Sequence, residues 1–159
     1  MIQLPNSDDC FGCGLNNPYG LQLKLFYEED ASVTAEFTPR KEYNGWNDLL
    51  HGGIISTVLD EVMSWALLAN GIRAVTSKME IKFRNPAMIG NSFTAKGTII
   101  NKRSKVYQVK GVLYYDDTII AEATSTYMNM PKDKVEILGS GYERLFKQIE
   151  QLKANDNNS

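Results

Sequence analysis

The chain has 159 residues, of which 43% are hydrophobic and 23% charged, and its formal net charge is −2. These values are typical of one ordinary globular domain, and the missing basic excess argues against nucleic-acid binding. The single histidine excludes a histidine-rich metal site within one chain. The longest apolar stretch, residues 54–68, contains two acidic residues and is too short to span a bilayer. With two cysteines and no signal-peptide pattern, we expect a reduced, cytoplasmic protein.

The N-terminal residues 1–20 are rich in turn-forming residues and predict an irregular arm. Alternating apolar and polar residues then predict two strands, over 21–26 and 33–37, and a long loop follows over 38–50. The remaining predicted elements are a central helix over 52–70, four strands over 75–83, 92–101, 106–115 and 118–128, and a second helix over 140–153. The polar tail is expected to be disordered.

The order of these elements predicts the fold class. Two strands, one helix, four strands and a last helix do not alternate as a doubly wound fold requires. Short links between the last strands predict an antiparallel sheet, and a helix that is apolar on most sides belongs at the centre of the fold. We therefore expect an α+β protein. The predicted organisation is an arm over 1–20, a domain over 21–130, a helix over 139–153 and a tail over 154–159.

The glycine pair at the start of the central helix is the first candidate for chemistry. The first amides of a helix have no acceptor within it, so the amide of Gly52 or Gly53 is placed to polarise a thioester or ester carbonyl. A turn that merely lets the chain enter a buried helix is the alternative. His51 is a candidate base, but we favour a structural role in which its ring nitrogen bonds a backbone carbonyl, because no second partner for a triad is evident.

Four polar residues form one stripe on the otherwise apolar helix: Thr57, Asp60, Glu61 and Ser64. Buried carboxylates are costly unless they are paired, and a carboxylate in a dry cleft can attack an acyl carbon or take a proton from water. The alternative is that the stripe faces solvent. Adjacent helical positions are about 100° apart, so the two carboxylates need not share an environment.

The string Cys10-Phe-Gly-Cys13 has the spacing of half a zinc site. A second pair of cysteines is absent from the chain, so packing of small side chains at a turn is the alternative account. Two further groups of residues are candidates for ligand contacts. The alternative for the basic group is a solvated turn, and the alternative for the apolar group is a place in the core. The two groups are the basic residues Arg84, Arg103 and Lys105 and the apolar residues Trp46, Met63 and Trp65.

The His51-Gly52-Gly53 string, with Asp60 nine residues after the histidine, resembles the hotdog-fold acyl-CoA thioesterases of the PaaI-like branch, in the 4-hydroxybenzoyl-CoA thioesterase superfamily. The segments CFGCGLNNPYGL (10–21) and YNGW (43–46) resemble one subgroup of that branch. The resemblance covers residues 10–130. It implies a curved antiparallel sheet of about six strands around one helix. It also implies a homodimer or homotetramer with interface sites, no metal, and no cofactor beyond the coenzyme A of the substrate.

The resemblance also implies residue roles. The Gly53 amide polarises the carbonyl, and Asp60 of the partner subunit activates water or attacks. The other implied site residues are Gly52, Trp46, Thr57 and Ser64 at the substrate, and Arg84, Arg103 and Lys105 at the nucleotide phosphates. Many relatives have an amide side chain six residues before the histidine, where this chain has Gly45. We expect Asn44 to replace it, and Glu61 remains a second candidate carboxylate.

The sequence therefore predicts an enzyme that hydrolyses an acyl-CoA thioester, without nucleic-acid or membrane partners. A non-catalytic acyl-CoA-binding or ligand-sensing hotdog protein is the alternative, because one fold hosts both activities. A hydratase of the same fold is less favoured, since its expected Asp-His pair lies on a different loop and His51 is the only histidine.

Overall fold

A computed structural model describes residues 1–156 of the chain. Its elements match the predicted order, with strand and helix ends shifted by up to three residues. They are β1 (Ile2–Gln3), β2 (Lys24–Tyr27), β3 (Val33–Phe37), a 3-10 turn (Lys41–Tyr43), α1 (Gly52–Ala69), β4 (Ala74–Phe83), β5 (Phe93–Arg103), β6 (Val106–Tyr115), β7 (Thr118–Asn129), a second 3-10 turn (Lys132–Leu138) and α2 (Gly139–Asp156).

The seven strands form one antiparallel sheet in the order β1-β2-β3-β5-β6-β7-β4. Six of them were predicted. The seventh is β1, which pairs with β2 through Ile2 and Tyr27, so the arm is not irregular throughout. The two residues of β1 are too few to show the period-2 pattern by which a strand is recognised in a sequence. The strand β4 follows α1 in the chain and lies at the opposite edge of the sheet.

Helix α1 lies across one face of the sheet and packs against β2 through β7. It is 18 residues long, and by length and composition alone the whole helix is sufficient to cross a membrane, although the apolar run within it is shorter. The helix includes residues beyond the apolar run 54–68. Ten of its side chains are buried in the core, which is the packing of a central helix rather than of a lipid-facing one.

The helix approaches the sheet closely above a pair of glycines. Gly97 in β5 is the register partner of Gly111 in β6. A Cβ atom on Gly97 would lie 2.3 Å from the carbonyl oxygen of Val62, and one on Gly111 would lie 3.0 Å from the side chain of Met63. A side chain at Gly97 would therefore displace the helix backbone. This contact fixes the height and rotation of α1 over the sheet.

The C-terminal helix is longer than predicted. It continues through Asp156, so residues 154–156 are helical, whereas 157–159 of the expected tail lie outside the described residues. It packs at the C-terminal end of α1, where the Lys153 ammonium donates to the carbonyl oxygen of Ala69 at 2.9 Å. The Arg73 guanidinium bonds both carboxylate oxygens of Glu143 at 3.1 Å. A cation at a helix C-terminus is favourable because the last carbonyls lack partners within the helix.

We expect Gly97→Ala to lower the free energy of unfolding by about 3 kcal/mol, the upper part of the usual range for overpacking. The added methyl group meets helix backbone, which has no rotamer by which to move aside. Gly141→Ala in α2 is the matched control, since a Cβ there meets nothing within 4 Å. Chemical denaturation of both variants measures the difference, and equal stabilities would contradict the close seating of α1.

Candidate active site

The loop before α1 folds back on itself and places Asn44 beside the start of the helix. Asn44 and Leu50 form an antiparallel bridge, and the His51 amide donates to the carbonyl oxygen of Tyr43 at 3.0 Å. Asn44 is exposed, and its backbone lies next to the residue that precedes His51. The loop thus brings together two of the predicted site residues.

His51 caps the helix. Its Nδ1 atom accepts a hydrogen bond from the Gly53 amide at 2.9 Å. The ring nitrogen therefore bonds an amide N–H, and the expectation that it bonds a backbone carbonyl was wrong. Gly53 has a partner for its N–H, whereas no acceptor for the Gly52 amide is found in the part of the chain that the structure describes. Of the two glycines, Gly52 presents the open donor.

An apolar cleft of about 390 Å³ opens beside Gly52. Phe83, which is 56% exposed, contributes to its wall at the end of β4. The lining residues are Leu49, Leu50, Gly52, Ile55, Phe83, Arg84, Asn85, Pro86 and Ala87. The three apolar candidates lie elsewhere: Trp46 is 85% exposed outside the lining, and Met63 and Trp65 belong to the core.

Two hydroxyl groups from the sheet hold Asp60. Thr76 Oγ1 in β4 donates to Asp60 Oδ1 at 2.9 Å, and the Tyr127 hydroxyl in β7 approaches the same oxygen at 3.3 Å. Ser64 Oγ lies 3.2 Å from the Tyr127 oxygen. Burial raises the pKa of Tyr127 above its ordinary value, so this phenol keeps its proton and remains a donor to the carboxylate. Both bonds go to Oδ1, which leaves Oδ2 for another partner.

The sequence did not identify Thr76 or Tyr127 as neighbours of Asp60. They stand 16 and 67 residues away in the chain. Strict alternation along β4 would put Thr76 on the face of Lys78, and only the register irregularity between these two residues turns Thr76 to the side of its partner Tyr127. No local pattern in the sequence shows this irregularity or tells which helix residue Thr76 meets. Thr57, another residue of the polar stripe, bonds within its own helix, where its Oγ1 donates to the Gly53 carbonyl at 2.9 Å.

Glu61 points away from Asp60 and toward the arm. Its Oε1 atom accepts from the Trp65 indole N–H at 2.9 Å and lies 3.6 Å from the Cys10 sulfur. Burial is the largest cause that raises the pKa of Glu61, to about 7. The two neighbouring carboxylates therefore lie in separate environments, one against β4 and β7 and the other enclosed by the arm.

One chain does not bring the three basic candidates together. Arg84 follows the last residue of β4 and forms a 3.0 Å ion pair with Glu122. Arg103 and Lys105 lie at the β5–β6 turn, where the Lys105 carbonyl accepts from the amide of Asn129. Asn129 is paired with the first residue of β4, so the two groups lie at opposite ends of a ten-residue strand. That strand is roughly 30 Å long.

A long central helix wrapped by one antiparallel sheet, with an open amide at its first turn and a carboxylate two turns later, places this protein among the hotdog-fold thioesterases. A model of the thioesterase superfamily matches residues 47–126, the segment that contains the glycine pair and Asp60. The chain belongs to the thioesterase superfamily, as the sequence motif predicted.

Individual relatives agree with this assignment. The chain is 25% identical over 130 residues to the medium/long-chain acyl-CoA thioesterase YigI of Salmonella typhimurium, covering 71% of this chain and 83% of the relative. It superposes on the thioesterase superfamily protein RHA08564 with a TM-score of 0.70 and 20% identity, covering 72% of this chain and 60% of that one. It also superposes on smu.793 of Streptococcus mutans, solved with acetyl-CoA, with a TM-score of 0.65 and 19% identity, covering 69% and 90%.

We expect His51→Ala to lower the free energy of unfolding by about 1 kcal/mol, because the variant loses the acceptor for the Gly53 amide at the start of α1. His51→Asn should retain most of the stability, since asparagine is a good capping residue. Denaturant titration of the two variants beside the native chain measures this. If alanine and asparagine destabilise equally, the ring nitrogen does not cap the helix.

Proposed function

We propose that the protein hydrolyses acyl-CoA thioesters. The observation that carries this proposal is the Gly52 amide, which has no acceptor within residues 1–156 and belongs to a residue that lines the apolar cleft. A helix-start amide is a suitable donor to the oxygen of a thioester carbonyl, on which negative charge develops during attack. The Streptococcus mutans relative was solved with acetyl-CoA, and the Salmonella relative is named for acyl-CoA hydrolysis.

The distance between Gly52 and Asp60 argues that one chain does not complete the site. Eight residues of α-helix separate their backbones by about 12 Å along the axis. A single carbonyl group, with its oxygen on the amide and its carbon within reach of a carboxylate-bound water, does not bridge that span. The carboxylate that acts at Gly52 is therefore the partner's Asp60.

The strand β4 is suited to join two copies. It forms an edge of the sheet, and its two ends expose the apolar side chains of Val75 and Phe83. Unpaired edge strands are the surfaces at which sheets continue into a neighbouring chain. Gly52 lies beside Phe83 at the end of β4, whereas Asp60 lies beside Thr76 near its beginning. Antiparallel pairing of two β4 strands therefore carries the partner's Asp60 toward Gly52 in a homodimer.

The same pairing accounts for the separated basic residues. Arg84 lies at the end of β4, and Arg103 and Lys105 lie near its beginning. In the antiparallel dimer the partner's Arg103 and Lys105 approach Arg84. We assign these three side chains to the phosphates of coenzyme A, because guanidinium and ammonium groups are the usual phosphate partners. Asn44, Thr57 and Ser64 are assigned to the surroundings of the bound thioester, whereas Trp46 lies outside the lining of the cleft.

Asp60 acts in this proposal as a general base. Thr76 and Tyr127 bind its Oδ1 atom and fix the orientation of the carboxylate, so Oδ2 is directed at water. A water proton passes to Oδ2 while the water oxygen bonds the carbonyl carbon, and the charge on the carbonyl oxygen is stabilised by Gly52. The C–S bond then breaks, coenzyme A leaves as the thiolate, and the thiolate takes the proton from Asp60. Glu61 faces the arm and has no part in this reaction.

We expect Asp60→Asn to lower kcat for acyl-CoA hydrolysis by about 100-fold or more, the usual contribution of a general base. Coenzyme A release is measured with a thiol reagent on acyl-CoAs from acetyl to palmitoyl. The medium- and long-chain members are tested first, because the Salmonella relative is named for them. Asp30→Asn, in the β2–β3 turn, is the matched control. If the native chain binds acyl-CoA but turns over no member of the panel, the protein is a ligand-binding hotdog protein instead.

The shared site predicts complementation between two inactive variants. Gly52→Pro deletes the amide N–H at the first helical position, where proline is well tolerated, and Gly52→Ala keeps it as the control. A refolded equal mixture of Gly52→Pro and Asp60→Asn chains contains mixed dimers with one intact site in each. We expect about a quarter of the native activity, because half of the dimers are mixed. Sites built within one chain would give no recovery.

A further inference from the structure

Three metal-ligating side chains outside the proposed catalytic site converge between the arm and α1. Cys10 and Cys13 come from one turn of the arm, and Glu61 comes from the helix, 51 residues after Cys10. One ligand atom of each residue lies within 4.8 Å of the others. Cys13 and most of Glu61 are enclosed, and both cysteines are free thiols. The sequence showed only the two cysteines, and the third donor appears when the arm packs on the helix.

The distance between the Cys10 sulfur and the Glu61 carboxylate fits a tetrahedral zinc ion. Zinc–sulfur and zinc–oxygen bonds of about 2.3 and 2.1 Å at the tetrahedral angle put sulfur and oxygen ligands about 3.6 Å apart. The Cys10 sulfur lies 3.6 and 3.8 Å from the two oxygens of Glu61. Two thiolates and one carboxylate are a suitable set for Zn²⁺, with the fourth position open to a ligand from outside the chain.

A group beside the cluster orients it as the surroundings of a metal site do. The Trp65 indole N–H donates to Glu61 at 2.9 Å and holds the carboxylate in place. Hydrogen bonds of this kind to ligand atoms fix their geometry and tune affinity for the metal.

Gly12 lets the arm close over the carboxylate. A Cβ atom at this position would lie 2.3 Å from Glu61 Oε2 and 2.4 Å from its carboxyl carbon. A larger residue here would require the Glu61 carboxylate to move from its present place beside the Cys10 sulfur. The turn is anchored independently, since the Leu21 amide donates to the Phe11 carbonyl at 2.7 Å and the Leu23 amide to the Gly12 carbonyl at 3.0 Å.

We propose that Cys10, Cys13 and Glu61 bind one Zn²⁺ ion per chain, which fastens the N-terminal arm to α1. The ion is structural with respect to hydrolysis, because Glu61 faces away from the surface on which Asp60 lies. Its position is nevertheless one residue from Asp60 on the same helix. Metal binding therefore rigidifies the turn of α1 that presents the catalytic carboxylate.

Metal content and spectroscopy of the full reduced chain test this proposal. The chelator-treated protein is titrated with Zn²⁺ alone by calorimetry and with Co²⁺ alone by absorption. We expect one equivalent of each metal to bind, and we expect Co²⁺ to give the near-ultraviolet charge-transfer band of thiolate ligation. Binding should also raise the Tm of the chain, since the ion binds the folded state. No stoichiometric binding, or Co²⁺ binding without the thiolate band, would overturn the site.

Variants assign the ligands, and circular dichroism confirms that each one folds. Glu61→Gln keeps the shape of the side chain but removes the charged oxygen ligand. Loss of a residue that only hydrogen-bonds a ligand typically costs about 10- to 100-fold in metal affinity, and Glu61→Gln should weaken Zn²⁺ binding at least that much. Trp65→Phe should weaken it within that same range of about 10- to 100-fold. Asp60→Asn is the matched control and should bind Zn²⁺ like the native chain. If Glu61→Gln binds equally well, Glu61 is not a ligand and the proposal fails, whatever the enzyme assay shows.

Discussion

The close seating of α1 on the sheet at Gly97 determines where the functional groups of this chain point. Helix backbone occupies the space that a Cβ atom would take, so the helix has one height and one rotation above β5 and β6. Protein interiors are packed as densely as crystals and do not deform continuously, so a helix held at one place is held along its length. The first turn therefore meets Phe83, and Asp60 meets Thr76 and Tyr127. A different rotation would exchange these contacts for others.

The fixed rotation separates two carboxylates that are adjacent in the chain. Successive helical residues diverge by about 100°, so Asp60 and Glu61 face different neighbours. One is held by hydroxyl donors near an open sheet edge, which suits the general-base role that we propose for it. The other is enclosed with two thiols and an indole N–H, where burial disfavours its charge unless a cation joins it. The proposed hydrolysis and the proposed zinc site thus both depend on the fixed rotation of α1.

In the homodimer that we propose, the order of the strands explains why the active site takes groups from a second copy. The sheet places β4 at an edge, and α1 runs alongside it with the open amide at one end and the carboxylate further along. Antiparallel pairing across that edge reverses the direction of the second copy and brings complementary ends together. A symmetric interface of this type produces two identical sites at once.

The sequence by itself determined the main elements and the motif. The three- and four-residue spacing of apolar side chains predicted α1, alternation predicted six of the seven strands, and the His51-Gly52-Gly53 string with Asp60 indicated the family. These features are local, because each depends on residues within a few turns or one strand. Only the tertiary structure decided that Gly53 is capped by His51 while Gly52 stays open, that Tyr127 supports Asp60, and that Glu61 joins the two cysteines. Such contacts join residues far apart in the chain, and they exist only once the strand order and the rotation of the helix are set.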